Sequence, residues 1–234
     1  MTPEITTPRL RRLRRTAAIT YRAARSYGEA SALLRADENS TDASPRVYTA
    51  LLRRLAWRSD SVLDVGTGLM GSLDFFPSKV KLGLDGYRPY LEHRPREDVV
   101  PINADARRLG ELFLPRSIDL VTLIDVIEHF DGDAAREVLR HAELIARRRV
   151  VVVTPRGIFP QEGHDAFGLG GEEYQRHRSS WDVEDLTSLG YRVAVLKGFH
   201  DKRNESFVRA FGTGAPPVDA LVAWRDVATS SRAA

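Results

Sequence analysis

SVLDVGTGLMGSLDFF, residues Ser61–Phe76, runs from a short apolar segment into glycines and back into apolar residues. Val62–Val65 is apolar but for Asp64, and Gly66, Gly68 and Gly71 follow it. The pattern predicts a buried strand, a tight turn and the start of a helix, an arrangement in which bare backbone approaches a nucleotide-like ligand. Taken literally, Gly66-x-Gly68-x-x-Gly71 is the dinucleotide fingerprint. The acid two residues ahead of Gly66 suits a different ligand, so the turn alone leaves both readings open.

Downstream the strand-turn-helix unit repeats. Lys81–Asp85 (KLGLD) and Val99–Asn103 (VVPIN) read as the second and third strands. Ile118–Val126 (IDLVTLIDV) reads as the fourth, apolar almost throughout, as a strand buried on both faces should be. Asp133–Arg148 predicts a helix with Val138, Ala142 and Ile145 inward, and Val150–Thr154 a β-branched fifth strand stopped by Pro155. Such alternation implies an open parallel sheet with helices on both faces. The ending breaks the rhythm. Tyr191–Leu196 and Ser206–Phe211 read as two strands with no room for a crossover helix between them, hence an antiparallel pair. Val218–Val227 then reads as a short helix, and Arg156–Ser180 as a long lid or binding loop, or else a disordered segment.

Upstream, Arg9–Arg35 places Leu10, Leu13, Ala17, Tyr21 and Ala24 at helical spacing among arginines. Asp37–Ser44 reads as a polar loop, and Ser44-Pro45 opens a helix with Val47, Leu51 and Leu55 on one face. The expected class is α/β: a seven-stranded, mostly parallel sheet with a terminal antiparallel strand pair, plus N-terminal helices. Residues 1–58 would be a basic helical extension, 59–214 the ligand-binding domain with its substrate loop at 155–181, and 215–234 a tail.

Composition sets outer limits. The 234 residues suffice for one α/β domain with an appendage. No apolar run approaches the roughly 20 residues of a membrane span, and the N-terminus lacks the apolar core of a secretory signal, so a cytoplasmic protein without membrane contact is expected. There is no cysteine, which excludes disulfides and thiolate chemistry. Residues 1–58 hold twelve arginines against five acids, whereas the whole chain is only +3. That arm could meet nucleic acid, a phosphate-bearing substrate or an acidic partner, or simply be a solvated helical face. Arginine outnumbers lysine 31 to 4, a bias in keeping with a GC-rich bacterial genome.

Four acids fall at predicted strand ends: Asp64, Asp85, Asp105 and Asp125. Ligands of doubly wound sheets bind there. S-adenosylmethionine (SAM) presents an ammonium, two ribose hydroxyls and an adenine amino group, all of which favour carboxylates, and it has no phosphate. An acid-lined pocket suits it better than a pyrophosphate.

Residues 61–211 resemble a class I SAM-dependent methyltransferase of Rossmann-like fold. LDVGTG at Leu63–Gly68 is similar to the family's first motif, Asp85 and Asp105 to its second- and third-strand acids, and DVIEHF at Asp125–Phe130 to the fourth-strand motif of small-molecule methyltransferases. The third glycine arrives one residue late, at Gly71. By this resemblance Gly66 and Gly68, with Thr67 and Asp64, would hold the amino acid end of SAM. Asp85, beside Gly86, would take the ribose, Asp105 and Ala106 the adenine, and Asp125 would lie near the amino acid end.

The acceptor is less determined. A base is required only where the acceptor loses a proton as it attacks, as a hydroxyl does, and His129 is the best-placed histidine for that role. It could equally be a structural residue bonded to backbone. His164, Tyr174, His177 and Trp181 in the loop would form the substrate wall. The alternative reading of His177–Trp181 (HRSSW) is as the cap of a helix over Asp182–Leu189. No ligand spacing enforces a metal site from His164, Asp165 and Glu173, and none is expected. The acceptor expected is an oxygen, carboxylate or nitrogen of a small molecule or natural product. RNA or protein acceptors met by the basic arm are the alternative. A nicotinamide oxidoreductase is disfavoured because no tyrosine has a lysine four residues on. A non-catalytic binding module also remains, and the sequence is silent on oligomeric state.

Overall fold

A computed structural model describes residues 22–35, 39–93 and 95–227. The first part of the basic arm, with Leu10, Leu13, Ala17 and Tyr21, lies outside the described residues. Residues 22–33 form helix α1, followed by β1 (Asn39–Asp42), α2 (Pro45–Leu55), β2 (Ser61–Val65), β3 (Val80–Asp85), α3 (Arg88–His93), β4 (Val100–Asn103) and α4 (Leu109–Leu112). The second half supplies β5 (Ile118–Ile124), α5 (Gly132–Ile145), β6 (Ala146–Pro155), α6 (Glu172–Gln175), α7 (Val183–Ser188), β7 (Arg192–His200), α8 (Glu205–Phe211) and β8 (Val218–Asp226).

The strands make one eight-stranded sheet in the order β1-β7-β8-β6-β5-β2-β3-β4. All neighbours are parallel except at β8, which runs antiparallel to both β6 and β7. Strand order reverses between β2 and β5, so the crevice beyond their carboxyl ends is where this topology places a ligand. Successive strand residues point to opposite faces and feed two cores. Leu63, Val121, Leu123, Val150 and Val152 pack on one face with Val138, Ala142 and Ile145 of α5. Val62, Leu120, Val151 and Val153 pack on the other with Leu51, Leu52 and Leu55 of α2. Ser44 caps α2 by accepting from the Val47 amide at 3.1 Å, and Pro45 occupies its first turn, as the sequence predicts.

Four expectations need correcting. The polar segment read as a loop contains β1, which pairs in parallel with β7 at the edge of the sheet; a short polar strand needs only the backbone bonds an edge offers. The sheet therefore has eight strands, not seven. The last two elements exchange character. Ser206–Phe211 lies in helix α8, capped by the Asn204 side chain on the Phe207 amide and ended by Gly212 at φ 81°. Val218–Val227, read as a helix, is almost wholly β8, with Ala220–Trp224 buried on both faces. The antiparallel arrangement stands, with β8 as its second strand. Finally, Ala146–Arg148, expected to end α5, already belongs to β6.

Candidate active site

The glycine turn closes against its neighbours through the backbone. Gly66 and Thr67 amides both donate to the Leu84 carbonyl, at 2.7 and 3.0 Å, which ties the end of β2 to β3. Gly66 and Gly68 have φ of 67° and 53°, the left-handed region that glycine enters without strain. The expected helix after the turn is only a five-residue 3-10 segment, Gly71–Phe75, entered through Met70 at φ 62°.

Beyond the turn lies a cavity of about 970 Å³. It gathers Gly66, Thr67, Gly68, Asp85, Gly86, Asp105, Ala106, Asp125, His129 and Tyr174 from the residues singled out in the sequence. Asp85 accepts from the Gly68 and Tyr87 amides, one to each oxygen, both at 2.8 Å. A carboxylate has about four acceptor positions, so roughly two remain for a ligand. Burial raises the Asp85 carboxyl pKa, and the two amide donors only partly offset it. The Asp105 side chain accepts from the Arg107 amide and guanidinium, which hold its carboxyl below its ordinary value. Asp125 stands at φ 52° and faces the cavity, open to water there though crowded by protein behind; that crowding pushes its carboxyl up to about 6.

Asp64 does not line the cavity. It is 1% exposed and accepts from Thr122 Oγ1 of β5 at 2.6 Å and from Ser72 of the 3-10 segment. Burial raises its pKa against those hydrogen bonds. Its position makes it a strut between β2, β5 and the turn, one layer behind the ligand surface.

The loop after β6 folds back over the cavity. Asp165 accepts from the Phe167, Leu169 and Gly171 amides at 2.9, 2.7 and 3.1 Å and curls the loop around itself. Burial would raise its carboxyl, but these donors bring it below the ordinary range. The curl lays Phe167 over Gly68 and leads into α6, where Tyr174 lies over Gly86. Tyr87 fastens the loop by donating to the Leu169 carbonyl at 2.7 Å and packs its ring 5.1 Å from that of Tyr174. Glu173 and Arg178 of the same loop also line the cavity, and so do Phe167, Tyr90 and Asn103, which were not anticipated. Tyr90 lies five residues past the end of β3, where a tyrosine carries no signal of its own.

Of the expected substrate wall, only Tyr174 reaches the cavity. Trp181 is 2% exposed in the core, its indole donating to Ser179 Oγ at 3.0 Å. His164 contacts Glu205 at 3.2 Å, next to α8. His177 donates from Nδ1 to the Phe159 carbonyl at 2.7 Å and meets the His129 ring edge-on, with centroids 5.0 Å apart. The HRSSW segment caps nothing; Asp182 caps α7, in a reciprocal capping box with Asp185. The segment instead docks on DVIEHF. Arg178 and Ser179 amides donate to the Glu128 carbonyl at 2.7 and 3.1 Å, and the Arg178 guanidinium to the His129 carbonyl at 2.8 Å.

His129 lies at the inner wall of the cavity, its Nδ1 3.3 Å from the Arg176 carbonyl. Burial and the adjacent His177 imidazole push its pKa down to about 4, so it is neutral near pH 7. A base this weak draws little proton from a free hydroxyl. Glu128, beside it, is 2% exposed; its Oε2 accepts from Thr154 Oγ1 at 3.0 Å and its Oε1 has no hydrogen-bond partner. Burial, then the charge of Asp125, raises the Glu128 carboxyl well above its ordinary value.

No protein-family model matches this chain, and no curated protein matches it. Solved structures do. The plantazolicin methyltransferase BamL, solved with a triazolic desmethylPZN analog and SAH, is 14% identical over 90% of each chain, with a TM-score of 0.51. A putative methyltransferase from Bacillus halodurans is 15% identical, matched over 76% of this chain and 97% of that one, with a TM-score of 0.50. A SAM-dependent methyltransferase from Archaeoglobus fulgidus is 18% identical over 78% of this chain and 95% of that one, at 0.49. The fold is that of the class I, Rossmann-like SAM-dependent methyltransferases. Among the described residues no helix is long and apolar enough to cross a membrane.

Proposed function

We propose that this protein is a SAM-dependent methyltransferase whose acceptor is an oxygen, carboxylate or nitrogen of a small molecule or natural product. The observation that carries the reading is Asp85, a cavity-facing carboxylate with acceptor positions to spare, set against the Gly66–Gly68 turn with no α-helix behind it. A dinucleotide pyrophosphate is held at the N-terminus of a helix of several turns; five residues of 3-10 helix offer none. Ribose hydroxyls, which donate to a carboxylate, fit Asp85. On this reading Asp105 and Ala106, which line the same cavity, would meet the adenine edge and Asp125 the ammonium. The loop from residue 156 to 181 roofs the cavity with Phe167 and Tyr174, which favours an acceptor small enough to be enclosed. The BamL structure, described with a desmethyl analog, is a fold-level precedent for such an acceptor.

SAM supplies the activated methyl group as a sulfonium. The protein's share of the work is alignment of acceptor and donor in line and exclusion of water, for which the roofed cavity is shaped. Isothermal titration tests the reading. SAM and S-adenosylhomocysteine are expected to bind, NADPH not, and Asp85→Ala to weaken SAM by about 2 kcal/mol, near thirtyfold. Tight NADPH binding with no SAM binding would sink it.

A further inference from the structure

We propose that Glu128, His129 and His177 form a binding site for a divalent transition-metal ion at the inner wall of the cavity. One ligand atom from each, two imidazole nitrogens and a carboxylate oxygen, lie within 4.8 Å of one another. Bonds of about 2.1 Å in a tetrahedral shell put such atoms about 3.4 Å apart, so modest side-chain rotation closes the set. The triad is brought together by the docking of HRSSW on DVIEHF, which the sequence alone does not disclose.

Three further features fit a metal. Each histidine presents Nδ1 to a backbone carbonyl, His129 to that of Arg176 and His177 to that of Phe159. With Nδ1–H donated, each Nε2 carries the free lone pair, and an imidazole so anchored is the usual second layer of a metal site. Glu128 is buried, with one oxygen held by Thr154 and Oε1 left without a partner. A buried carboxylate oxygen with nothing to accept from is costly unless a cation or proton meets it. The neighbouring Asp125 adds a second negative group on the same side. A two-imidazole, one-carboxylate set suits Mn²⁺, Fe²⁺ or Zn²⁺ rather than Ca²⁺ or Mg²⁺.

This site also gives the acceptor a class, a step that rests on the methyltransferase reading. His129 and Asp125 line the cavity, so an ion held there would meet the acceptor. A hydroxyl oxygen on the ion loses its proton to water near neutral pH. Its lone pair then forms the O–C bond as the C–S bond breaks and that electron pair stays on sulfur. The acceptor inferred is therefore an alcohol or phenol, and no side-chain base is needed.

The test is titration of the full chain, stripped with chelator and dialysed, with MnCl₂ and ZnCl₂ separately. The expected result is one ion per chain, with a metal-dependent rise in melting temperature. His177→Ala and Glu128→Gln should each bind about a hundredfold more weakly or worse, and His164→Ala should bind as the parent does. His177→Ala guards against misfolding of the more buried Glu128 variant, and circular dichroism checks both. Absence of saturable binding, or unchanged binding in His177→Ala and His129→Ala, overturns the proposal. Metal binding without S-adenosylhomocysteine binding would leave the site standing and remove the methyltransferase reading; the converse would remove only the metal.

Discussion

A Cβ on Gly66 would lie 2.5 Å from Val126 Cγ2, a stiff β-branched side chain, in a backbone conformation of φ 67° that side chains disfavour. Gly66→Ala should therefore cost about 2–4 kcal/mol, of which roughly 1–2 is the left-handed backbone and the rest the clash. Urea unfolding checks it, and adding Val126→Ala should return the clash part alone. An unchanged midpoint would show that the turn tolerates a side chain. This glycine was legible because its need is local. So was the placement of Asp85, at the end of a strand whose pattern is plain in KLGLD. Asp64 sits in an equally plain strand, yet its lining role was misjudged. Thr122 and Ser72 draw it inward, and a partner on another strand leaves no mark in the local sequence. Glu128 and His177 were missed as a pair for the same reason.

At the scale of elements, the loop after β6 depends on one buried carboxylate. Asp165→Ala removes the acceptor for three backbone amides, a local loss of roughly 2–4 kcal/mol. Hydrogen exchange should then quicken at Phe167, Leu169 and Gly171 while the strands beneath stay protected. Equal protection in the variant would mean the loop is held by Tyr87 and the aromatic contacts instead. Where periodicity and a long apolar run coincide, as in β5 and α5, the elements were readable. The final two were not, because short, largely apolar stretches of six and ten residues fit helix and strand alike. Asn204 and Gly212 make Ser206–Phe211 a helix, and only the gap between β6 and β7 makes Val218–Asp226 a strand.

For the molecule as a whole, His200 ties stability to pH. It is 5% exposed, with Nε2 unpartnered, and burial followed by the His177 imidazole lowers its pKa to about 4, against the pull of Asp201. A histidine whose folded pKa is depressed contributes stability above its unfolded value near 6.5. That contribution is lost as pH falls toward 4, because the unfolded chain binds the extra proton. Between pH 7 and pH 5 the share of that loss due to His200 should be about 2 kcal/mol, read in chelator as the difference in urea-midpoint pH dependence between the parent and His200→Leu. Identical pH dependence in the two proteins would refute it.

Among the described residues β8 is the last strand in sequence to join the sheet, yet it fills an interior position. During synthesis, β6 and β7 have no common neighbour until residues 218–226 have been made. Both would until then present open backbone edges to any passing strand. The domain is thus expected to complete its fold only after translation has passed Asp226. A chain halted at residue 214 would carry every cavity-lining residue and still be prey to aggregation rather than a working protein.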